Sequence, residues 1–528
     1  MSSGDRQPID ERIRAAVRRN LARAAPAGSA SPAGPPAAAP CGAGSRGPAA
    51  AAPERDAPAA SAPPAGWRRF DEPPRGGGGR HAPRTEGGLG LHDGPDAAVA
   101  GARDAFAAFR DVSLREREAI IAAIRAALLT RVDELAASAV EETGLGRVAH
   151  KVQKNRLVIT KTPGPEILTP DAISGDDGLT LTELAPFGVI AAITPVTNPS
   201  ETVINNAISM LSGGNTVVFN AHPTARKVTA DTIRIINAAA RAAGCPVDLL
   251  HACTEPTIET AQALMKHRDV RLVVVTGGAA VVKAALLSGK KVIAAGAGNP
   301  PAVVDATADP GAAARHIVAG ASFDNNVICV DEKVVVAVAA VRDRLLGAME
   351  ALGCRLLSAA ELARVEETIF TENRGPSKPA VINRQWVGKD AVRILRAARV
   401  SAEGDPPLAV AFVPPEHPLA WTEQMLPVLP VVEAPDAPAA IDLAVALEQR
   451  NHHTAMMHSR DVEMLSLMAR RIDTSIFVKN GSCAAGLGEG GEGPTSFTIA
   501  SPTGEGLTDA RTFCRRRRCV LVGAFRIV

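Results

Sequence analysis

Residues 187–219 read FGVIAAITPVTNPSETVINNAISMLSGGNTVVF, and the change of pattern within them decides the fold. Phe187–Ile193 and Thr216–Phe219 are apolar throughout, which is typical of strands buried on both faces, whereas Glu201–Leu211 is typical of a helix. The alternation continues to residue 294. It predicts an α/β fold with a doubly wound parallel sheet, in which a nucleotide binds at the carboxyl ends of the strands. The further predicted elements are helices Ala225–Ala243, Thr257–Lys266 and Ala280–Leu287 and strands Arg271–Val275 and Lys291–Ala294.

The glycine motif Gly-x-Gly-x-x-Gly, which binds a dinucleotide after the first strand of many such sheets, does not occur at that place. Thr194-Pro-Val-Thr-Asn-Pro199 follows the first strand instead. The spacing recurs at Gly486, Gly488 and Gly491, where no helix is predicted to begin, so we interpret that stretch as a flexible loop. A nicotinamide dinucleotide would therefore need another mode of phosphate binding.

The segment before the sheet predicts a scaffold helix and an arm. Ser113-Leu-Arg-Glu116 is a capping box, and apolar residues at helical spacing continue to Gly144, which predicts one long helix over about 114–143. Residues 157–186 carry several prolines between two β-rich pieces, Leu157–Thr160 and Leu179–Leu184. They predict an extended hairpin that projects from the sheet and serves contacts between subunits.

The first 94 residues are of a different kind. In residues 1–24, Ile9, Ile13, Val17 and Leu21 recur at four-residue spacing with arginines on the other side, which predicts a short amphipathic helix. Residues 25–94 are dominated by Ala, Pro, Gly, Ser and Arg, so we predict a disordered linker. An apolar stripe beyond such a tether favours a docking peptide. A mitochondrial transit peptide is the rival interpretation, which the acidic residues near the start fit poorly.

Composition limits the class of protein. The 528 residues, 46% of them hydrophobic, can bury a large core in more than one domain, and the formal net charge of +2 gives no bias toward nucleic acid or membrane. The sequence shows neither a secretory signal nor a run of 18 apolar residues. The eight cysteines form no Cys-x-x-Cys pair and no metal-ligand cluster, so we expect reduced thiols and no metal. Arg515–Arg518 has no interleaved aromatic residues, which favours a strand edge or a subunit contact over a nucleic-acid site.

One cysteine is the candidate nucleophile. Cys329 follows the polar turn Asp324-Asn-Asn326 and precedes an apolar strand. A thiol attacks as the thiolate, and the amides of such a turn can lower its pKa and bind the oxyanion that it creates. From this segment alone, the alternative is that Cys329 is a small buried hydrophobic residue.

Several pieces of the chain resemble the aldehyde dehydrogenase superfamily: the turn after the first strand, Thr276-Gly-Gly278, Gly296-Ala-Gly-Asn-Pro300 and Cys329. The resemblance covers about residues 95–528 and is closest to the CoA-acylating branch, the propionaldehyde and acetaldehyde dehydrogenases of bacterial microcompartments. The segments that carry the resemblance to this branch are Pro195–Thr202, Phe323–Cys329, His452–Ala455 and the tail from Gly504 to Val522.

This resemblance implies a fold with a cofactor domain, a catalytic domain and a β-hairpin arm for oligomerisation. The implied boundaries are 95–298 for the NAD-binding domain, with 157–186 as the oligomerisation hairpin, 299–480 for the catalytic domain, and 481–528 for a C-terminal return and oligomerisation segment. The implied activity is oxidation of a short aldehyde with NAD+ and CoA. Propionaldehyde is the favoured substrate and acetaldehyde the alternative.

The resemblance also implies a role for each site residue. The Cys329 thiolate attacks the aldehyde, a hydride passes to NAD+, and CoA takes the acyl group from the resulting thioester. Thr197 or Asn198 assists the Cys329 N–H as oxyanion donor, and His453 poises a proton; alternatively, Thr197 and Asn198 only form the turn and His453 is structural. The glycine pair could likewise be a simple turn, and Glu423 a solvated charge. The implied cofactor-binding residues are Thr194, Pro195, His222, Pro223, Thr276, Gly277, Gly278, Gly296 and Glu423.

Position 294 distinguishes two kinds of relative. Hydrolytic members have Glu-Leu-Gly-Gly-Lys where this chain has Ala294-Ala-Gly-Ala-Gly298, and that Glu activates the water that cleaves the thioester. Ala294 therefore favours CoA over water as the acyl acceptor. The alternative is a hydrolytic aldehyde dehydrogenase in which Ala294 only packs against a helix and another base serves. The family's Lys-Pro is also replaced, by Asn220-Ala-His-Pro223, which affects the adenosine-ribose contacts.

With this resemblance, residues 9–24 predict an encapsulation peptide that docks the enzyme to shell or cargo proteins of a bacterial microcompartment in the cytoplasm. We expect a homo-oligomer, either a dimer or a tetramer, with no nucleic-acid or membrane partner. A third hypothesis makes the chain an interaction or scaffold protein with an inactive enzyme body, which the intact Cys329 segment disfavours.

Overall fold

The computed structural model describes residues 88–528. The helix predicted in residues 1–24 and almost all of the predicted linker lie outside the described residues. Its helices are α1 (Pro95–Phe109), α2 (Leu114–Leu129), α3 (Val132–Thr143), α4 (Val148–Lys161), α5 (Pro199–Ser212), α6 (Arg226–Ala242), α7 (Ile258–Lys266), α8 (Ala279–Leu286), α9 (Pro310–Ala321), α10 (Ala339–Ala351), α11 (Ala359–Ile369), α12 (Ala391–Ala397), α13 (Ala437–Glu448) and α14 (Val462–Ile472). Its strands are β1 (Leu91–His92), β2 (Asp171–Gly175), β3 (Gly178–Pro186), β4 (Val189–Ile193), β5 (Thr216–Asn220), β6 (Leu250–Cys253), β7 (Val270–Thr276), β8 (Lys291–Ala295), β9 (Pro301–Val304), β10 (Val334–Val338), β11 (Arg355–Leu357), β12 (Phe370–Glu372), β13 (Val381–Ile382), β14 (Ala409–Phe412), β15 (Val428–Ala434), β16 (Thr454–His458), β17 (Ile476–Lys479), β18 (Ile499–Ala500), β19 (Gly506–Leu507) and β20 (Cys514–Val522).

The first large sheet is parallel and doubly wound, as the sequence predicts. Its six strands lie in the order β1-β6-β5-β4-β7-β8, so the chain runs from β4 to one side and returns to build β7 and β8 on the other. Alternate residues of β4 enter two separate apolar clusters, Ile190 in one and Ala191 in the other. Both faces of the sheet are therefore covered, which explains why this strand is apolar throughout.

The second large sheet is also parallel and has seven strands in the order β11-β14-β15-β10-β9-β16-β17. The chain reverses its direction of strand addition between β9 and β16, which are paired through Val303 and Met457. Cys329 lies just before β10, at the amino edge of this sheet. The predicted α/β fold with parallel sheets is thus confirmed.

A third, three-stranded sheet contains the predicted arm. Strands β2 and β3 form an antiparallel hairpin, and the C-terminal strand β20 pairs with β3 over nine residues. The arm begins later than predicted, because Leu157–Thr160 belongs to helix α4 and is not a strand. The four successive arginines lie on β20 and are exposed, as expected for a strand edge.

Two other element predictions need correction. The capping box at Ser113 and the left-handed cap at Gly144 are both present, but the helix between them is broken into α2 and α3 at Thr130 and Arg131. The Thr130 hydroxyl donates to the Ala127 carbonyl at 2.7 Å and competes with the helical pattern. The linker prediction to residue 94 is also too long, because β1 pairs with β6. In residues 88–528, no helix has the length and apolar character that crossing a membrane requires.

Candidate active site

The nucleophile segment starts with an unusual turn. Asp324, Asn325 and Asn326 have φ values of 48°, 57° and 66°, a left-handed conformation that Asp and Asn tolerate better than most residues. The Asn326 amide donates to the carbonyl of Ala321 at 2.8 Å and to that of Glu332 at 3.0 Å. These bonds join both ends of the segment, so the loop that carries Cys329 is held closed.

Lys333 supports the same loop from beneath. Its fully buried ammonium group donates to the Asn326 carbonyl and side-chain oxygens, each at 2.7 Å, and to the Ile328 carbonyl at 3.0 Å. All three N–H groups of the ammonium ion thus have an acceptor, which offsets the cost of burying its charge. This role was not predicted from the sequence, because a lysine before a strand is common and does not indicate that a loop will fold over its side chain.

The Cys329 thiol is partly accessible, yet protein surrounds it closely. This burial, together with the charge of Glu423, raises the pKa of Cys329 to about 12, while Lys333 acts in the opposite direction. The expectation that the polar turn lowers the thiol pKa is therefore wrong for the protein without ligands. The loss of solvation outweighs the donors that the turn provides.

Gly298 brings the other candidate groups to the nucleophile. A Cβ at this glycine would lie 2.8 Å from the Cys329 carbonyl oxygen and 3.1 Å from Cγ of His453. The Gly298 N–H donates to the Glu423 carboxylate at 3.1 Å. The backbone of one glycine therefore contacts Cys329, His453 and Glu423 together, at a place where any side chain would intrude.

His453 is buried and only half satisfied. Its Nδ1 lies 2.9 Å from the Thr454 hydroxyl, whereas its Nε2 has no hydrogen-bond partner among residues 88–528. Burial, with a smaller contribution from Lys333, lowers the pKa of His453 to about 4. The imidazole is neutral at physiological pH, and its free nitrogen is available to a ligand. A purely structural histidine would be expected to use both nitrogens.

Glu423 is partly buried and is not the solvated surface charge considered as an alternative. Burial raises the pKa of its carboxyl group, although Lys333 and the Gly298 N–H partly oppose the shift. A carboxylate beside the nucleophile can accept hydrogen bonds from ribose hydroxyls.

Asn198 and Thr197 are connected to the nucleophile loop by buried ions. The Lys154 ammonium donates to Asn198 Oδ1 at 2.7 Å and to the Asp324 carboxylate at 2.6 Å. The Asn198 amide nitrogen lies 3.1 Å from the Thr197 hydroxyl. Because Lys154 fixes the oxygen end of the Asn198 amide, the nitrogen end must point elsewhere as a donor.

The ion cluster around Lys154 is larger than a single pair. Lys151 also contacts Asp324, at 3.0 Å, and Glu201 lies 3.1 Å from Lys154, with all four side chains fully buried. Although burial alone would raise the pKa of Asp324, the two lysines hold it below its ordinary value. The sequence offered one signal: two lysines three residues apart on a helix whose buried face also carries Leu157, Val158 and Ile159.

The predicted cofactor residues gather at the carboxyl edge of the first sheet. Thr194 follows β4 and Thr276 ends β7, the two strands between which the chain reverses, and this crevice is where doubly wound sheets bind ligands. The Thr194 hydroxyl is buried without a partner among the described residues. Gly278 precedes α8 without a side-chain cap, and a Cβ there would meet nothing within 4 Å. Free N–H groups beside open space fit a pyrophosphate.

The remaining cofactor candidates lie along the same edge. Pro195 is partly exposed next to Thr194, and Gly296 follows β8, where a Cβ would meet Pro502 at 2.9 Å. His222 and Pro223 form an exposed turn after β5, farther from the crevice between β4 and β7. The His222 ring already accepts from the Thr224 N–H at 3.3 Å. These residues fit the edge of a dinucleotide site.

Ala294 is fully buried within the apolar cluster of the first sheet that includes Val275 and Leu264. Its methyl group therefore packs in the core, as one of the sequence interpretations considered. No acid stands at this position to activate water.

A narrow cleft lies beside the nucleophile loop. It has a volume of about 10 Å³, which is room for one water molecule. Its wall includes both neighbours of Cys329, and the lining residues are Gln153, Lys154, Leu157, Phe323, Ile328, Val330, Asp331, Cys483, Ala484, Leu487, Glu489 and Phe497.

The chain is similar to a family of known proteins. The sequence profile of the aldehyde dehydrogenase family matches residues 92–358. The acetylating acetaldehyde dehydrogenase of Salmonella typhimurium is 51% identical over 441 residues, covering 83% of this chain and 94% of that protein. The structure of a propionaldehyde dehydrogenase from the Clostridium phytofermentans fucose utilisation bacterial microcompartment is similar with a TM-score of 0.81 and 44% identity, covering 83% of this chain and 100% of that one. The Rhodopseudomonas palustris propionaldehyde dehydrogenase, solved with bound CoA and an acylated cysteine, has a TM-score of 0.81 and 47% identity, covering 83% of this chain and 99% of that one.

Proposed function

The chain belongs to the aldehyde dehydrogenase family, and from this premise we propose that it is a CoA-acylating dehydrogenase of short aldehydes. It converts an aldehyde, NAD+ and CoA into an acyl-CoA, NADH and a proton. The observation that carries the proposal is the meeting of Cys329, His453 and Glu423 around Gly298. Relatives at 44% to 51% identity that make or hold acyl-CoA support it.

The chemistry begins at Cys329. His453 takes the proton of the Cys329 thiol as the sulfur adds to the aldehyde carbonyl and forms a thiohemiacetal, and expulsion of the hydride from that carbon leaves a thioester on the same sulfur. NAD+ supplies the acceptor of this hydride. The CoA thiol then attacks the thioester carbonyl, and the Cys329 thiolate leaves.

Two donors stabilise the oxyanion in this proposal, the Cys329 N–H and the Asn198 amide nitrogen. Lys154 holds the amide oxygen at 2.7 Å, so that the amide is preorganised before substrate enters. Preorganisation of this kind is worth about 3 kcal/mol for each donor. Thr197 positions the amide through its hydroxyl. The Asp324 carboxylate links this turn to the nucleophile loop through Lys154.

His453 is the proposed proton acceptor. It is neutral, it lies against Gly298 beside Cys329, and its Nε2 is unpaired within the described part of the chain. It can take the proton of an attacking thiol and return it to the leaving group.

NAD+ fits the first sheet. Thr194, Pro195, Thr276, Gly277 and Gly278 would hold its pyrophosphate at the crevice between β4 and β7. Glu423 would accept from the nicotinamide ribose. Gly296, His222 and Pro223 would line the rest of the path. The open backbone at Gly278 and the unpaired Thr194 hydroxyl support this assignment.

We propose propionaldehyde as the principal substrate, with acetaldehyde next. Relatives named for propanal and for acetaldehyde, at 44% and 51% identity, support a short aldehyde as the substrate class. A site that distinguishes two substrates by one methylene separates them by only about 1–3 kcal/mol, so the ratio of kcat/KM for the two aldehydes should lie within about 200-fold.

The central test is CoA dependence. NADH formation from propionaldehyde should require CoA and should stop in Cys329→Ala, whereas the control Cys519→Ala, a change at an exposed cysteine, should retain full activity. Acyl-CoA and NADH should form in equal amounts. Accumulation of free acid and NADH at a comparable rate without CoA would instead favour the hydrolytic alternative.

We also propose that residues 9–24 dock the enzyme to shell or cargo proteins of a bacterial microcompartment. The stripe of Ile9, Ile13, Val17 and Leu21 supports this, as does the similarity to a microcompartment enzyme. Deletion of residues 1–24, or Val17→Glu alone, should leave purified activity unchanged and release the enzyme into the soluble fraction. Arg18→Glu, on the polar side, is the matched control. Undiminished co-purification of the deletion variant with intact compartments would contradict docking.

A homo-oligomer is proposed on the basis of the third sheet. Its two edge strands leave Ile173 and Val522 exposed by 68% and 78%, and exposed edges of this kind favour pairing with another copy. Sedimentation velocity distinguishes a dimer from a tetramer. Val522→Glu should lower the sedimenting mass, whereas an unchanged mass would place the subunit contact elsewhere.

A further inference from the structure

A second, larger cavity lies away from the nucleophile. It has a volume of about 250 Å³ and sits at the carboxyl ends of β9 and β16, beside the first turn of α9. The direction of strand addition reverses between these two strands, which is the place where open parallel sheets bind ligands. Cys329 contacts the amino side of β9 at Gly298, so the cavity lies roughly 20 Å away, at the opposite edge of the sheet.

Two histidines in this cavity carry unpaired nitrogens. His458 is only 3% exposed, and neither its Nε2 nor Nδ1 of His316 has a hydrogen-bond partner within residues 88–528. Their rings are stacked with centroids 5.7 Å apart. Polar atoms that are shielded from water and left unpaired cost stability, so two of them in one cavity point to a ligand that pairs with them.

The wall of the cavity is already rigid. Asp305, directly after β9, accepts hydrogen bonds from the Thr307 N–H at 2.7 Å and from the Ser459 hydroxyl. Asn480 holds the backbone of Ser459 by two hydrogen bonds of 2.8 Å. This frame fixes the residues on either side of Ser459, namely His458 and Arg460, without any ligand.

Arg460 supplies the positive charge that an anion would meet in this cavity, and the one carboxylate that lines the cavity, Asp309, is engaged as the cap of helix α9, accepting from the Ala312 N–H at 2.9 Å. Arg460 is 75% exposed, and its nearest carboxylate, Asp309, is 3.9 Å away, too far for a hydrogen bond. Arg315 lies near His316 and adds a second positive charge. Burial and the neighbouring His316 lower the pKa of His458 to about 4, so its imidazole is neutral and can donate an N–H without bringing a charge.

A metal ion fits less well. The imidazole planes are inclined by only 22°, so their in-plane lone pairs run side by side and do not converge on one point. In the part of the chain that the structure describes, no group of three or more His, Cys, Asp or Glu residues could hold a metal.

We propose that this cavity is a second ligand site, in which His316, His458 and Arg460 bind the phosphate group of a small phosphorylated compound. The site is separate from the aldehyde chemistry. Charged hydrogen bonds to phosphate are among the stronger polar contacts in proteins, and Arg is well suited to them. A phosphate monoester and a nucleotide share this group, so the experiment distinguishes them.

The test is isothermal titration of the full-length enzyme saturated with NAD+, which keeps the phosphate positions of the first sheet filled. Inorganic phosphate, glycerol 3-phosphate and AMP are titrated separately. We expect saturable binding of phosphate, with tighter binding of whichever ester matches the cavity. Arg460→Gln and His458→Gln should each weaken binding by about tenfold or more.

Arg110→Gln is the matched control, since Arg110 is exposed and has only a loose pair with Asp111 at 3.6 Å. It should bind as the wild type does. Because His458 is buried, His458→Gln is first checked for an unchanged melting temperature. If His458→Gln is unfolded, the exposed Arg460→Gln alone tests the proposal. Absence of saturable binding for all three probes, or equal affinity in Arg460→Gln and the wild type, would overturn the proposal.

Discussion

Gly298→Ala should impair catalysis without unfolding the enzyme. The new methyl carbon would lie 2.8 Å from the Cys329 carbonyl oxygen and must retreat by about 0.6 Å to reach the 3.4 Å of ordinary contact. Overpacking of this kind destabilises the folded state by about 1–3 kcal/mol. Replacing Gly with Ala also lowers the conformational entropy of the unfolded chain, which stabilises the protein by about 0.4–1 kcal/mol. The free energy of unfolding should therefore fall by about 1–2 kcal/mol. Displacement of the reacting groups by up to 1 Å lowers the reaction rate by about 100-fold, which raises the activation barrier by about 2.7 kcal/mol.

The assay combines steady-state kinetics with urea denaturation. kcat/KM for propionaldehyde should fall by about 100-fold in Gly298→Ala. Gly347→Ala is the control, because Gly347 lies in helix α10 and a Cβ there meets nothing within 4 Å. It should be as active as the wild type and more stable by about 0.5–1 kcal/mol. Activity of Gly298→Ala within threefold of the wild type would refute the close packing of Cys329 and His453 around this glycine.

Three further predictions concern the groups around the nucleophile loop. Lys333→Met removes three buried hydrogen bonds and should lower the free energy of unfolding, measured in urea, by about 3–5 kcal/mol. Lys378→Met, at an exposed lysine, is the control and should leave it unchanged. A loss under 1 kcal/mol in Lys333→Met would contradict the supporting role of Lys333. Burial raises the pKa of Glu332 from 4.5 to about 7, so its stabilising proton is fully present below pH 4.5 and is lost as the pH rises through 7. Stability should then fall between about pH 5 and 7 by more in the wild type than in Glu332→Gln, and parallel curves would argue against this. Iodoacetamide at pH 7 without ligands should modify the exposed Cys519 before Cys329. The rate of Cys329 alkylation should rise steeply toward pH 10, because only the thiolate reacts. Peptide mapping that finds Cys329 modified first at pH 7 would refute its raised pKa.

Much of the fold is legible in the sequence because both faces of a buried parallel sheet require apolar side chains. That requirement produced the uninterrupted strand pattern of Val189–Ile193. Leu157–Thr160 was misassigned because a short apolar run with β-branched residues fits a strand and a buried helix face equally well. The break at Thr130 left no glycine or proline to mark it.

The site was predictable only in part, for a related reason. The polar turn before Cys329 was legible in the sequence because a turn is local, whereas the assignment of Cys329 as the nucleophile came from the resemblance and stays a prediction. The ion cluster of Lys151, Lys154 and Asp324 joins residues about 170 apart in the chain, and no local pattern records which buried charges will meet. The direction of the Cys329 pKa shift was missed for the same reason, since burial depends on the whole fold.

The pairing of β20 with β3 has a consequence for synthesis on the ribosome. The strand that completes the third sheet is translated about 330 residues after the hairpin that receives it. At about 5–20 residues per second, the hairpin waits roughly 15 to 70 s for its partner. During that interval the edge of β3 that later pairs with β20 is unpaired. Thr180, Thr182 and Glu183 on this strand make that edge a poorer template for misassembly with other nascent chains.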